Sequence, residues 1–244
     1  MIRSAPVVAG CMNIEIWSDV VCPWCYIGKR RFEDALGRFA HRDEVEVVWR
    51  SFELDPGAPA VRKGDLTGHL AKKYGTDLVG ATRAIDHMTA QAADEGLEYH
   101  LENARGGNTF DAHRLIHLAR ERGIQDQVKE AFLRAYHVDG VAIGDPDAIA
   151  RVGIEAGLDA DEVSAVLAGD AFAEAVRADE EEANSLGVSA VPFFVFGRRY
   201  GVPGALPADA LLRALDQAWQ DTRPLTIVGS AASGPGCEDG SCPI

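Results

Sequence analysis

Alternating apolar and polar positions near the start of the chain give way to helical spacing. Apolar and polar residues alternate over Asn13–Asp19, which predicts a β-strand. Over Trp24–Phe39 the apolar residues recur every three or four positions, which predicts an amphipathic helix. Alternation returns over Val45–Trp49, so a second strand follows. A helical crossover between the two predicts that these strands are parallel.

The next segment, residues 55–169, has almost no strand signal but several helix-start signals. Asn108, Asp145 and Asp159 each stand where a side-chain oxygen would cap the N-terminus of a helix. The spacing of these signals predicts four to six helices. We therefore expect an all-helical insertion inside an α/β frame.

Strand-like sequence returns only after an acidic helical segment, Asp170–Leu186. Pro192–Phe196 and Arg199–Val202 read as two strands, and the two-residue connection between them begins with glycine, which suits a tight hairpin turn. Pro207 then opens a last helix. The frame is therefore assigned to residues 12–54 and 170–225, on either side of the insertion at 55–169. The aromatic residues expected in the core are Trp17, Trp49, Phe193, Phe194 and Phe196.

Charge and hydropathy exclude two classes of partner. The 244 residues include 24 Lys and Arg against 38 Asp and Glu, a formal net charge of −14. Such a surface repels a phosphate backbone, so nucleic acid is not an expected partner. No apolar run approaches the length of about 18 residues that a membrane-spanning helix needs, so we expect no membrane insertion.

The two ends of the chain are expected to lie outside the folded domain. Val8–Cys11 resembles a lipid-attachment site, but the apolar stretch before it is too short for an export signal. We therefore interpret residues 1–11 as a non-structural extension of a cytoplasmic protein. Residues 226–244 have linker composition and carry Cys237 and Cys242, which predicts a flexible tail.

The chemistry of the chain is centred on Cys22 and Cys25, a C-x-x-C pair placed where the first strand leads into the first helix. A thiol at a helix N-terminus faces unsatisfied backbone N–H groups and the positive end of the helix dipole, and both favour the thiolate. Pro23 has the fixed φ that suits the first helical position. We expect Cys22 to be the nucleophile and Cys25, one turn later, to be the buried resolving thiol.

Metal binding is the main alternative for these cysteines. Cys22, Cys25, Cys237 and Cys242 together would supply the four thiolates of a zinc-stabilised binding module. Zinc knuckles place their cysteine pair in a Gly-containing turn, whereas this pair caps an amphipathic helix. Thiol chemistry without a metal or other cofactor is therefore the favoured interpretation.

Four segments resemble the FrnE-like branch of the DsbA family of thiol-disulfide oxidoreductases: Asp19–Lys29, Asn108–Thr109, Gly187–Phe194 and Gly204–Pro207. The resemblance extends over Met12–Trp219 and implies a thioredoxin-like domain with a large helical insertion. Similar proteins also include glutathione-dependent 2-hydroxychromene-2-carboxylate isomerases and kappa-class glutathione transferases. Those proteins typically have Ser at the position of Cys22 and lack the second cysteine.

The resemblance also implies a substrate site. Pro192 matches a cis-proline that faces the active-site cysteines, and the helix start near Asn108 matches one that lies across the cleft from them. The substrate-binding set implied in this way is Val191, Pro192, Trp24, Asn108, Thr109 and His113. His113 and His117 share a helix face at a spacing able to bind a metal, but no third ligand is evident. We therefore expect one to face solvent and the other to line the cleft.

The sequence thus predicts a thiol-disulfide oxidoreductase or isomerase that acts on protein or small-thiol disulfides, glutathione among them. A glutathione-dependent isomerase or transferase is the enzymatic alternative. A homodimer is implied by the resemblance alone. The linker before Cys237 is long enough to suggest that Cys237 and Cys242 form a second redox pair, which exchanges with Cys22 and Cys25.

Overall fold

The structure is a computed structural model that describes residues 11–222. The predicted extension before Cys11, and the tail with Cys237 and Cys242, lie outside the described residues. The strands are β1 (Met12–Ser18), β2 (Val45–Ser51), β3 (Phe193–Phe196) and β4 (Tyr200–Pro203). The helices are α1 (Pro23–Arg38), α2 (Leu66–Tyr74), α3 (Leu78–Asp94), α4 (Phe110–Glu121), α5 (Gln125–His137), α6 (Pro146–Glu155), α7 (Ala160–Ala168), α8 (Ala173–Ser185) and α9 (Ala208–Thr222).

The four strands form one sheet in the order β2-β1-β3-β4. β1 and β2 are parallel, which confirms the prediction from the strand-helix-strand pattern, and β3 is antiparallel to both of its neighbours. The last hairpin departs from the prediction, because β4 begins at Tyr200 rather than at Arg199. Gly197 and Arg198 have φ values of 57° and 59°, the left-handed conformation of a tight hairpin turn. The guanidinium of Arg198 is held there by Glu15, at 2.6 Å.

Six helices, α2 to α7, occupy the predicted helical segment, in agreement with the four to six expected. The side chains of Asp145 and Asp159 cap α6 and α7 as predicted. At α4 the expected N-cap is displaced by one residue, because Thr109 occupies the cap position. The Asn108 side-chain oxygen still accepts a hydrogen bond from the N–H of Phe110, at 2.9 Å. Asn108 therefore pairs with the first N–H group of α4 although it lies one residue before the cap position.

Buried apolar side chains surround the two cysteines. Most of the aromatic residues assigned to the core are fully buried, although Phe193 is only half-buried. One buried cluster contains the cysteines and side chains from β1, α1, α5 and the segment before β3. Its members include Trp17, Cys22, Cys25, Tyr26, Leu133 and Val191. α1 is thereby fixed against the sheet and the helical segment together. Within residues 11–222, no helix is both long and apolar enough to cross a membrane.

Candidate active site

Cys22 is the N-cap residue of α1, and Pro23 occupies the first helical position, as the sequence predicted. The Cys22 carbonyl accepts a hydrogen bond from the N–H of Cys25 at 3.0 Å, which closes the first turn. Both cysteines are free thiols. The helix N-terminus therefore presents its unsatisfied N–H groups and positive dipole end to the dithiol.

The two thiols differ in access. Cys22 is 5 % exposed and lines the cleft described below, whereas Cys25 is 0 % exposed and lies behind it. Burial raises the pKa of the Cys25 thiol well above its ordinary value, and the neighbouring Cys22 raises it further. The positive charge of Lys129 acts in the opposite direction. An external disulfide can therefore reach Cys22 before it reaches Cys25.

The segment before β3 lies directly against the Cys22 thiol. The Val191–Pro192 peptide bond is cis, as expected from the sequence. The Cys22 thiol donates a hydrogen bond to the Val191 carbonyl oxygen, with Sγ and O 3.5 Å apart. The Pro192 ring packs on α1 at Gly28: a Cβ atom built on Gly28 would lie 2.8 Å from Pro192 Cγ. This segment is thus held between the thiol and the body of α1.

A cleft of about 740 Å³ opens in front of Cys22, and its lining is largely apolar. One wall consists of residues Cys22 to Trp24 and Ser189 to Val191, and α2 and α3 supply side chains from the helical segment. Charged and imidazole groups also reach it: Asp19, Glu53, Asp55, Arg62, His69, Lys73 and His87. A largely apolar concavity with a few polar groups is typical of a ligand site.

The structure brings together part of the predicted substrate-binding set. Val191, Trp24 and Thr109 line the cleft, and the Trp24 ring contacts that of His87 with the centroids 6.0 Å apart. Pro192, Asn108 and His113 are not among the lining residues. Asn108 instead donates to the Pro56 carbonyl at 3.2 Å, so its side chain organises the loop before α4.

The expectation that one of His113 and His117 faces solvent is wrong, because both are buried beside carboxylates. His113 Nε2 lies 3.4 Å from Asp19 Oδ1, and His117 Nε2 lies 3.1 Å from Asp179 Oδ2. A buried imidazole needs a polar partner, and these carboxylates provide it. Among the described residues, no group of three or more His, Cys, Asp or Glu side chains could hold a metal ion.

Asp19 connects His113 to the cleft, since its carboxylate lines the cleft and contacts the imidazole. Burial on its own would raise the pKa of Asp19. The hydrogen bond and charge of His113, together with the N–H of Leu54 at 2.8 Å, hold that pKa below its ordinary value. A negative charge is therefore maintained three residues before Cys22.

Sequence reasoning missed Tyr99 and Lys129, two residues that act on the start of α1 or on its cysteines. The Tyr99 hydroxyl donates to the Pro23 carbonyl at 2.7 Å and so fixes the first turn from the helical segment. Lys129 lies on α5 and is 1 % exposed. A signal for Lys129 exists in the sequence, because it shares the helical spacing of the buried Phe132, Leu133 and Tyr136.

The fold and the site together define a class of protein. A dithiol at the N-terminus of the helix that follows the first strand, opposite a cis X-Pro bond, is the arrangement of thioredoxin-like thiol oxidoreductases. The sequence comparison agrees, because the family model of the DSBA-like thioredoxin domain matches residues 13–216. The chain therefore belongs to the DSBA-like thioredoxin domain family.

Individual relatives extend over nearly the whole chain. The crystal structure of the probable DsbA oxidoreductase SCO1869 from Streptomyces coelicolor is 49% identical, covers 92% of this chain and 97% of its own, and superposes with a TM-score of 0.84. YwbO of Bacillus subtilis is 28% identical over 84% of this chain and 96% of its own length. The cytosolic disulfide reductase DsbM from Pseudomonas aeruginosa, solved with GSH, shares the fold at 15% identity, with 86% and 96% coverage and a TM-score of 0.56.

Proposed function

We propose that the protein catalyses thiol-disulfide exchange on protein or small-thiol disulfides. The difference in access between its two thiols carries the proposal: Cys22 lines the cleft at a helix N-terminus, and Cys25 lies fully buried behind it. Such an arrangement suits one attacking and one resolving thiol. The substrate-contact residues that we assign are Trp24, Thr109 and Val191, which line the cleft.

The reaction proceeds in two exchanges. The Cys22 thiolate attacks one sulfur of a substrate disulfide, the substrate S–S bond breaks, and one substrate thiolate leaves and takes up a proton. A mixed disulfide then joins Cys22 to the other half of the substrate. Deprotonated Cys25 attacks the Cys22 sulfur, the Cys22–Cys25 disulfide forms, and the second substrate thiolate leaves. The substrate is reduced by two electrons and the enzyme dithiol is oxidised by two.

The relatives support this assignment and suggest a small-thiol partner. SCO1869 is named a probable DsbA oxidoreductase, and DsbM is named a cytosolic disulfide reductase and was solved with GSH. We infer by analogy that glutathione is a candidate substrate or reductant here. We also propose that the chain belongs to the FrnE-like branch, because four of its segments resemble that branch.

A glutathione-dependent isomerase of the 2-hydroxychromene-2-carboxylate type is less well supported. That chemistry does not use a second thiol, whereas this chain places Cys25 directly behind Cys22. The two proposals differ in one requirement. Reduction through a Cys22–Cys25 disulfide needs Cys25, and the isomerase reaction would survive its loss.

The test compares Cys22→Ser, Cys25→Ser and a control, Cys11→Ser, in insulin reduction driven by glutathione. Cys11 is a free cysteine directly before β1 and does not line the cleft. We expect Cys22→Ser to abolish turnover and Cys11→Ser to behave as wild type. With glutathione omitted, reduced Cys25→Ser should accumulate a mixed disulfide at Cys22 that mass spectrometry detects. Full turnover by Cys22→Ser would overturn the proposal. Isomerisation of 2-hydroxychromene-2-carboxylate, measured separately and unaffected by Cys25→Ser, would favour the isomerase class.

A further inference from the structure

Tyr99 contacts the peptide between the two cysteines from outside the cleft. It lies in the connection between α3 and α4 and is 5 % exposed. Its hydroxyl donates to the Pro23 carbonyl at 2.7 Å, the usual length of an O–H···O hydrogen bond. Tyr99 is not among the residues that line the cleft. The contact therefore acts on the Pro23–Trp24 peptide and not on a bound substrate.

The Tyr99 side chain is itself held by the helical segment and by α1. Its ring stacks on His137 of α5, with the centroids 4.9 Å apart, and on Tyr26 of α1, with the centroids 6.1 Å apart. The backbone beside it is tied to the same helix α5, because the His100 N–H donates to the His137 carbonyl at 2.8 Å. Burial raises the pKa of Tyr99 well above its ordinary value, so the hydroxyl keeps its proton and remains a donor. The Pro23 carbonyl therefore has a donor whose position is fixed.

The peptide that Tyr99 holds is one of the few adjustable parts of the first turn of α1. A disulfide needs its two sulfur atoms at about 2.05 Å and a Cβ–S–S–Cβ dihedral near about 90°, so the turn adjusts when the dithiol closes. The ring of Pro23 fixes its φ, and rotation about its ψ remains. That rotation turns the Pro23–Trp24 peptide, whose carbonyl is the acceptor of the Tyr99 hydrogen bond. The bond therefore acts on the conformational change that accompanies oxidation.

The direction of the effect follows from the geometry of the reduced form. Both cysteines are free thiols, and in this form the Tyr99 hydrogen bond already has its usual length. Adjustment of the turn on closing the disulfide moves the Pro23 carbonyl away from that position. A contact that is stronger in one of two states shifts the equilibrium toward that state. The hydrogen bond therefore favours the dithiol.

We propose that Tyr99 is a positioning residue of the exchange, whose hydroxyl holds the Pro23–Trp24 peptide in the conformation of the dithiol and so makes the active-site pair more oxidising. The inference rests on the proposed function. Tyr99 forms no bond to substrate and acts only through the turn that carries the cysteines. The chemistry is unchanged: the dithiol gives two electrons and two protons to a substrate disulfide, and the Cys22–Cys25 disulfide forms.

Tyr99→Phe removes the hydroxyl and keeps the ring that stacks on His137 and Tyr26. The variant and the wild type are each equilibrated with mixtures of reduced and oxidised glutathione, quenched with acid, alkylated and measured by mass spectrometry. We expect the equilibrium constant for forming the Cys22–Cys25 disulfide to rise about two- to tenfold in Tyr99→Phe, as the loss of one hydrogen bond of ordinary net strength predicts. A tyrosine that only supported the fold would stabilise both redox forms alike and would leave this constant unchanged.

Tyr26→Phe is the matched control, because it removes the same group from the same aromatic stack. Tyr26 is buried next to Cys25 in α1, but its hydroxyl donates to Glu130 at 2.5 Å and not to the first turn. We expect Tyr26→Phe to lower stability and to leave the equilibrium constant unchanged. A constant that does not rise in Tyr99→Phe, or that rises equally in Tyr26→Phe, would overturn the inference alone. Wild-type protein that forms no Cys22–Cys25 disulfide with oxidised glutathione would instead contradict the proposed function.

A measurement on the wild type covers the case in which Tyr99→Phe fails to fold. A hydroxyl proton in a stronger hydrogen bond exchanges more slowly with water. NMR on protein with labelled tyrosine measures this exchange in the dithiol and disulfide forms at the same pH, with the Tyr26 hydroxyl as internal reference. We expect the Tyr99 hydroxyl proton to exchange more slowly in the dithiol form, while that of Tyr26 exchanges equally in both. Equal exchange of the Tyr99 proton in both forms would overturn the inference.

Discussion

Gly28→Ala tests how tightly α1 holds the segment beside the active-site thiol. Gly28 lies inside α1, where alanine normally stabilises a helix by about 0.5–1 kcal/mol relative to glycine. Here an added Cβ would lie 2.8 Å from Pro192 Cγ and 3.5 Å from Ala205 Cβ. Since carbon atoms pack at about 3.5–4.0 Å, Pro192 or α1 must move by roughly 0.7–1.2 Å to admit the methyl group.

A second glycine of the same helix isolates the steric part of this effect. Gly37 is exposed and has nothing within 4 Å of its built Cβ, so Gly37→Ala should stabilise the protein by about 0.5–1 kcal/mol. Inserting a methyl group into packed surroundings costs about 1–3 kcal/mol. Because the helix-propensity gain is similar in both variants, Gly28→Ala should be about 1–3 kcal/mol less stable than Gly37→Ala.

Urea unfolding measures this difference, provided that both variants keep the slope of the wild type. We also expect Gly28→Ala to lower thiol-disulfide turnover, because a movement of either Pro192 or α1 shifts the Val191 carbonyl relative to the Cys22 thiol that contacts it. Gly37→Ala should leave turnover unchanged. If Gly28→Ala were as stable and as active as Gly37→Ala, the packing argument for this segment would be refuted.

The remaining predictions concern pH and the tail. Burial lowers the pKa of His137 to about 4, so as pH falls from about 6.5 the unfolded chain binds a proton before the folded one does, and stability should fall by at most about 3 kcal/mol by pH 4. His137→Gln should flatten that slope in urea titrations, while the same change at the more exposed His100 should not. Truncation after Thr226, or the paired Cys237→Ser and Cys242→Ser changes, should slow insulin reduction if the tail cysteines exchange with Cys22. Unchanged turnover in both would end that hypothesis.

The local features of the site could be predicted from the sequence because they depend on neighbours along the chain. The periodicity of Asn13–Asp19 and Trp24–Phe39 places Cys22 at a strand-to-helix junction without any tertiary information. The turn after β3 was predicted for the same reason. Its boundary was wrong by one residue because Phe196 pairs with Tyr200, and Arg199 belongs to the turn, where its N–H donates to the Phe196 carbonyl at 3.1 Å.

The long-range polar contacts could not be predicted. His113 meets a carboxylate 94 positions earlier in the chain, and helical spacing alone does not distinguish a buried paired histidine from an exposed one. His117 likewise depends on Asp179, which α8 brings against β2. Lys129 could be recognised as a lysine on an apolar helix face. What surrounds its ammonium depends on how α5 packs against the sheet and α1.

The helical segment contributes directly to the candidate site, because its residues act on the surroundings of both Cys22 and Cys25. The Tyr99 hydroxyl donates a hydrogen bond to the carbonyl of Pro23, which lies between the two cysteines. The positive charge of Lys129 acts to lower the pKa of the buried Cys25 thiol. α2 and α3 supply side chains to the cleft that Cys22 faces. A C-x-x-C motif at the same helix end, without these helices, would keep the helix dipole at Cys22 but would lose the positive charge of Lys129, which acts to lower the pKa of Cys25. In the proposed reaction, the helical segment therefore contributes both to the cleft in which Cys22 attacks and to the surroundings of the resolving thiol.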